Sequence, residues 1–283
     1  MGPLLQIEKP LVSVNWLYQH KDATNLIVLE GTIPKVSQEN MKSTVEKNQI
    51  PNTRFFDLKK VFSIQGAAFP NTALKPKDFE REARKLGINK NSCIVVYDEH
   101  GIYSSPRVWW LFKSMGFNNI AVLDGGFPAW KKANYPVEKK RKHMVALGNF
   151  EARYQPEKMI DSNAILTSIS NGNKQIVDAR SAGRFNATEL EPRKEVRNGH
   201  IRTSTNLPFA SLLNNGELKN QEELNQEFLK VNLKNMQMIF SCGAGMTAGV
   251  LALGVENSGF KEVSLYDRSW LDWGSLAHLP IET

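Results

Sequence analysis

Short runs of apolar and β-branched residues recur along this chain, at Leu26–Leu29, Ile94–Tyr97 and Ile120–Leu123, with stretches of helical pattern between them, Pro76–Leu86 and Ser104–Met115. Such alternation predicts an α/β fold in which a mainly parallel sheet is flanked by helices. The pattern then returns. Phe117 stands seven residues before Asp124, which opens Asp124-x-x-Phe127-x-x-Trp130; Phe260 stands seven before Asp267, which opens Asp267-x-x-Trp270-x-x-Trp273. Upstream, the strand Cys93–Tyr97 leading to Asp98 matches Met236–Ser241 leading to Cys242, and each is followed by a helical stretch, Ser104–Met115 and Thr247–Ser258. Leu26–Glu30 matches Gln175–Asp178, and Ile50–Asp57 matches Ile201–Pro208. Two copies of one unit are expected, 1–142 and 158–283, with 143–157 as linker.

In open parallel sheets ligands bind beyond the carboxyl ends of the strands. Cys242 falls there. It enters a loop, Cys242-Gly-Ala-Gly-Met-Thr247, that runs into a helix, and the unpaired N–H groups of such a loop and of the first helical turn favour a thiolate and cradle an anion. Gly243 and Gly245 are expected to supply backbone angles closed to other residues. A strand, a cysteine and two glycines before a helix is a way to expose a nucleophile. Cys93, inside an apolar strand, reads as a packing residue. Asp98 holds the place of Cys242 in the first copy, which therefore has the frame of the site without the nucleophile.

Composition narrows the class. The 283 residues, 41% of them apolar, suit two domains. Two cysteines give no disulfide framework, and the N-terminus has no basic region followed by a long apolar one, so a cytoplasmic location is expected. The net charge of +7 is concentrated in Lys131–Lys142, read as a solvated linker because no nucleic-acid motif surrounds it. No membrane or nucleic-acid partner is expected, and the positive field favours a small anionic substrate. His200 reads as a structural hydrogen-bonding residue, and Trp109, Trp110, Trp130, Trp270 and Trp273 as core. No metal or cofactor is implied, since ligand spacing, a Walker loop and a dinucleotide fingerprint are all missing.

Val96-Tyr-Asp98, Tyr103-Ser-Ser-Pro-Arg-Val-Trp-Trp110, Leu123-Asp-Gly-Gly126, Val177-Asp-Ala-Arg180, Gly183-Arg-Phe185, Glu191-Pro-Arg193, Gly199-His-Ile201 and Cys242-Gly-Ala-Gly-Met-Thr247 resemble, in order, the blocks of the tandem-domain rhodanese and 3-mercaptopyruvate sulfurtransferase family. The resemblance implies an inactive first domain, a second domain whose cysteine carries sulfur as a persulfide, and transfer to a thiol or cyanide. The acceptor is expected to be a low-molecular-weight thiol or a thioredoxin-like protein. It further implies that Arg184 and Arg193 bind the donor's carboxylate and carbonyl, a task suited to the guanidinium fork. Gly243, Ala244, Gly245, Met246 and Thr247 form the substrate-facing loop. Asp178 is expected to steady that loop, and Tyr103 of the first domain to close the pocket.

Thiosulfate-using members carry basic side chains after the cysteine; here Gly243 and Ala244 are uncharged, which favours 3-mercaptopyruvate over thiosulfate as donor. One departure is clear. Relatives with a serine at position 244 are held to use it with a histidine and an aspartate of the first domain, whereas this chain has Ala244 and no histidine between His20 and His100. A Cys-x5-Arg phosphatase is disfavoured because Ala248 stands where its arginine would be. A persulfide relay without a small-molecule donor stays as the alternative outside enzymes.

Overall fold

A computed structural model describes residues 4–34, 47–232 and 237–283. Its described residues divide into two compact units, one drawn from 4–63, 74–154 and 215–217, the other from 64–73, 155–214 and 218–283. Each unit holds one five-stranded, fully parallel sheet. In the first the order is Leu11–Val12, Ile120–Leu123, Cys93–Tyr97, Leu26–Glu30, Arg54–Phe55; in the second it is Met159–Ile160, Val263–Tyr266, Met238–Ser241, Gln175–Asp178, Thr205–Asn206. Taken in chain order within each copy, the two sequences of strands are identical, so the duplication seen in the pattern is a duplication of topology.

Register makes the correspondence residue by residue. Glu30 pairs with Tyr97 and Asp178 with Ser241, so the residues that follow, Asp98 and Cys242, stand at the same place at the carboxyl edge. The Asp-x-x-aromatic repeats do the same work in both copies: Phe127 N–H donates to the Asp98 carbonyl at 3.0 Å, and Trp270 N–H to the Cys242 carbonyl at 2.9 Å. Trp130 and Trp273 each donate their indole N–H to a proline carbonyl, Pro136 and Pro280. All five tryptophans expected in the core are buried. The helices Pro76–Lys85, Ser105–Ser114 and Ala248–Asn257 fall where the periodicity placed them; Met236, at the expected start of its strand, lies outside the described residues.

The linker region differs from its expectation. Up to Tyr154 the chain packs along the first unit: Gly148 and Phe150 donate to the Arg84 and Ile88 carbonyls, and Phe150 is buried. A Cβ at Gly148 would meet the Ile88 carbonyl oxygen at 2.0 Å, so only glycine allows that approach. Lys140, within the basic run, bridges the buried Glu30 and the half-buried Glu99 rather than facing only water. Burial alone would lower its pKa, but the bonds to both glutamates leave it raised. Local charge had masked these pairings in the pattern.

Candidate active site

The strand Met238–Ser241, held between Gln175–Asp178 and Val263–Tyr266, delivers Cys242 to the carboxyl edge of the second sheet. The loop after it is fixed from outside through its carbonyls. Trp270 N–H donates to the Cys242 carbonyl and Leu271 N–H to that of Gly243, both at 2.9 Å, while Asn71 Nδ2 donates to the Ala244 carbonyl at 3.1 Å. In a trans peptide the carbonyl and the following N–H point in opposite directions. Holding these three carbonyls outward therefore turns the N–H groups of Gly243, Ala244 and Gly245 inward. Among the described residues the N–H groups from Gly243 to Thr247 have no acceptor, and the helix Ala248–Asn257 follows directly. Unpaired amides at the start of a helix are a site for an anion.

The first unit shows such a loop occupied. The buried Asp98 carboxylate accepts the N–H groups of Tyr103, Ser104 and Ser105, each at 2.9 Å, on Oδ2 along with the Ser105 hydroxyl, and the His100 N–H on Oδ1. Its own side chain fills the cradle. In the second unit a cysteine stands there, and the N–H groups of the loop are left without such an acceptor. Tyr103, expected to close the pocket, contributes its backbone to this Asp98 loop.

Cys242 is only 1% exposed, where exposure had been expected. Beneath it is Ser269, buried and at φ 53, left-handed backbone that non-glycine residues seldom adopt. Its hydroxyl accepts the Cys242 N–H at 3.1 Å, donates to the Tyr266 carbonyl at 2.8 Å and lies 3.7 Å from Cys242 Sγ. The same position in the first copy is Gly126, also left-handed at φ 53. The two loop glycines divide their work. Gly245 takes φ 76, but Gly243 is not left-handed, and its use is space: a Cβ there would lie 3.0 Å from Arg184 Nη2.

Arg184 is held over the loop by Glu191, which accepts from Nε at 3.0 Å and Nη2 at 2.6 Å; Nη1 has no hydrogen bond among the described residues. Burial would lower the guanidinium's pKa, yet Glu191 foremost, with Cys242 and Asp178, holds it raised. Glu191 also accepts from Arg180, which is buried, pairs with Asp178 through Nε and Nη2, and lies 4.4 Å from the Trp270 ring centre. Asp178 thus binds Arg180, and among the described residues its carboxylate makes no hydrogen bond to the Cys242 loop. Arg193 is exposed and in no ion pair among the described residues. Met246 is buried and Thr247 half-buried at the loop's end. His200 Nδ1 lies 2.9 Å from the Phe185 carbonyl and its ring stacks on Phe185, a structural placement. Cys93 is buried in its strand, and burial pushes its thiol up to about 11. Among the described residues no three His, Cys, Asp or Glu side chains group as a metal site.

Three residues at this site carried no expectation from the sequence, and Glu191 only that of a surface ion-pair partner for Arg184 or Arg193. Arg180 lay inside a family block without a role, and Ser269 was detectable as a serine aligned with a glycine of the repeat. Asn71 had no signal.

The sequence matches the Rhodanese-like domain family over residues 13–133 and 162–276. It is 32% identical over 274 residues to the 3-mercaptopyruvate sulfurtransferase of Escherichia coli (strain K12), covering 96% of this chain and 97% of that one. It is 30% identical over 276 residues to the thiosulfate sulfurtransferase of Gallus gallus, covering 94% and 93%. The crystal structure of SseA, a 3-mercaptopyruvate sulfotransferase from Escherichia coli, superposes with a TM-score of 0.83 at 30% identity, over 93% of this chain and 99% of that one.

Proposed function

This chain belongs to the rhodanese family and is a sulfurtransferase, and on that premise we propose that it takes sulfur from 3-mercaptopyruvate, holds it on Cys242 as a persulfide and passes it to a thiol or cyanide. The Cys242 thiolate attacks the donor sulfur; the carbon–sulfur bond breaks, its electron pair leaves with carbon as the pyruvate enolate, and that carbon takes a proton. The acceptor then attacks the outer sulfur and restores the thiolate. Inward N–H groups of the loop stabilise the anionic sulfur in both halves, in a buried setting where such dipoles act more strongly than in water. Arg184 offers Nη1 to the donor's carboxylate, and Arg193 meets the same anion from the exposed side. Asp178, through Arg180 and Glu191, keeps Arg184 in place. Cysteine needs less activation than serine, so the chemistry does not require a hydroxyl at position 244.

The donor assignment rests on one observation: the cradle holds uncharged amides, with its cation set to the side at Arg184. Thiosulfate is a compact dianion best met by cations beside the nucleophile, whereas mercaptopyruvate carries its carboxylate away from its sulfur. Steady-state kinetics with both donors, under matched acceptor and salt, are expected to give the higher kcat/KM with mercaptopyruvate. A preference for thiosulfate would overturn the donor and leave the sulfurtransferase. No described helix is long and apolar enough to cross a membrane. Both cysteines are free thiols, which supports a reducing, cytoplasmic setting and an acceptor that is a small thiol or a thioredoxin-like protein.

A further inference from the structure

The segment 64–73 comes from the first half of the sequence but packs in the second unit, and there Asn71 holds the Ala244 carbonyl. We infer that Asn71 is a positioning residue for sulfur transfer: it fixes the Ala244–Gly245 peptide so that the Gly245 N–H faces the Cys242 sulfur. This rests on Cys242 being the sulfur carrier.

The three held carbonyls of the loop are not held alike. Those of Cys242 and Gly243 are bound by backbone N–H groups of the helix Ser269–Ser275, and so are fixed by the fold. Ala244 is held by a side chain. Its peptide precedes Gly245 at φ 76, and glycine tolerates the changed angles that follow when the preceding peptide turns over. A turned peptide would aim a carbonyl oxygen at an anionic sulfur and remove one N–H from the cradle. Ala244 has no polar side chain to resist this, so the restraint comes from outside the loop.

Asn71 is itself well placed. It sits at φ 62, backbone that asparagine tolerates better than most residues. The arm around it is closed by Ile64 N–H to the Thr72 carbonyl and Thr72 Oγ1 to the Phe69 carbonyl. On one side Phe69 packs, with Ala244, on the cluster around Trp270. On the other, Ala73 N–H donates to Asp267 Oδ2 at 3.0 Å. Anchors on both sides of Asn71 fix its backbone beside the loop.

Two variants separate the amide from the backbone: Asn71→Gly accepts the same φ, and Asn71→Asp keeps the shape but faces the Ala244 carbonyl with an acceptor. The rate at which iodoacetamide alkylates Cys242 is measured against pH without any sulfur donor, beside the single-turnover rate of persulfide formation from mercaptopyruvate. In Asn71→Gly the alkylation profile is expected to move up by about one pH unit, so that alkylation below its midpoint is about tenfold slower, as is persulfide formation. Asn71→Asp is expected to lose more at neutral pH. Wild-type profiles in both variants would overturn the inference and leave the arm a packing element. Because alkylation needs no donor, that result leaves the persulfide assignment intact; a wild-type protein that takes up no sulfur would instead refute the assignment and not the alkylation result.

Discussion

Arg184 occupies the space that a side chain at position 243 would need, and this makes Gly243 a test of the donor site. Gly243→Ala places a methyl group 3.0 Å from Arg184 Nη2, which must shift while Glu191 still holds it. The expected result is a fall of about tenfold in kcat/KM for mercaptopyruvate with Cys242 still alkylatable. Arg184→Ala and Arg193→Ala are each expected to lower kcat/KM by roughly ten- to a thousandfold, the cost of one charge-assisted contact of about 1.5–4 kcal/mol. Wild-type kinetics in the arginine variants would reduce both residues to structural or surface roles. The other thiol makes a prediction of its own. Burial raises Cys93 from 9.0 to about 11, so over that interval the unfolded chain releases a proton that the folded chain keeps. Stability should therefore fall as pH rises from about 9 to about 11, by on the order of 2 kcal/mol from this group. Denaturant titrations should show a shallower fall in Cys93→Ala.

At the scale of the element, the site is a strand, a loop and a helix whose loop is set by the first turn of the neighbouring helix. Ser269 opens that helix, and in the other copy Gly126 opens its counterpart at the same left-handed angle. Ser269→Gly relieves the strained backbone while removing a hydroxyl beside Cys242, so its stability is expected to change by no more than about 1 kcal/mol. Alkylation of Cys242 should slow nonetheless, because its N–H loses an acceptor and its sulfur a neighbouring O–H. A loss of stability with unchanged alkylation would make Ser269 a fold residue only. The strands, the helices and the cysteine loop were legible because each is written in local pattern: apolar runs, helical spacing, glycines at a turn. What the glycines do was less so. Gly245 serves backbone angle and Gly243 serves Arg184, and sequence spacing cannot distinguish a missing Cβ needed for one from that needed for the other. Arg180 escaped, and Glu191 read only as a surface partner, because charged residues usually face water; only the packing shows theirs to be a buried chain of pairs from Asp178 to Arg184.

Across the whole molecule one frame is used twice with different occupants. The first unit seats a carboxylate among amides and the second seats a thiol. Asp98→Ala would leave three backbone N–H groups and a hydroxyl buried without their acceptor, a change expected to cost roughly 2–4 kcal/mol in denaturant unfolding. Constant offsets revealed the duplication, but not that 64–73 packs with the second unit or 215–217 with the first. Long-range packing of that kind leaves no periodic trace, which is why Asn71 went unnoticed.

Sulfur carriage on Cys242 is tested most directly by intact-mass spectrometry after treatment with mercaptopyruvate. Wild-type protein is expected to gain one sulfur and to lose it on adding a thiol acceptor, and Cys93→Ser to behave the same way. Cys242→Ser is expected to stay folded and gain none. An added sulfur retained in Cys242→Ser, or wild-type turnover with no sulfur ever found on the protein, would contradict a Cys242 persulfide.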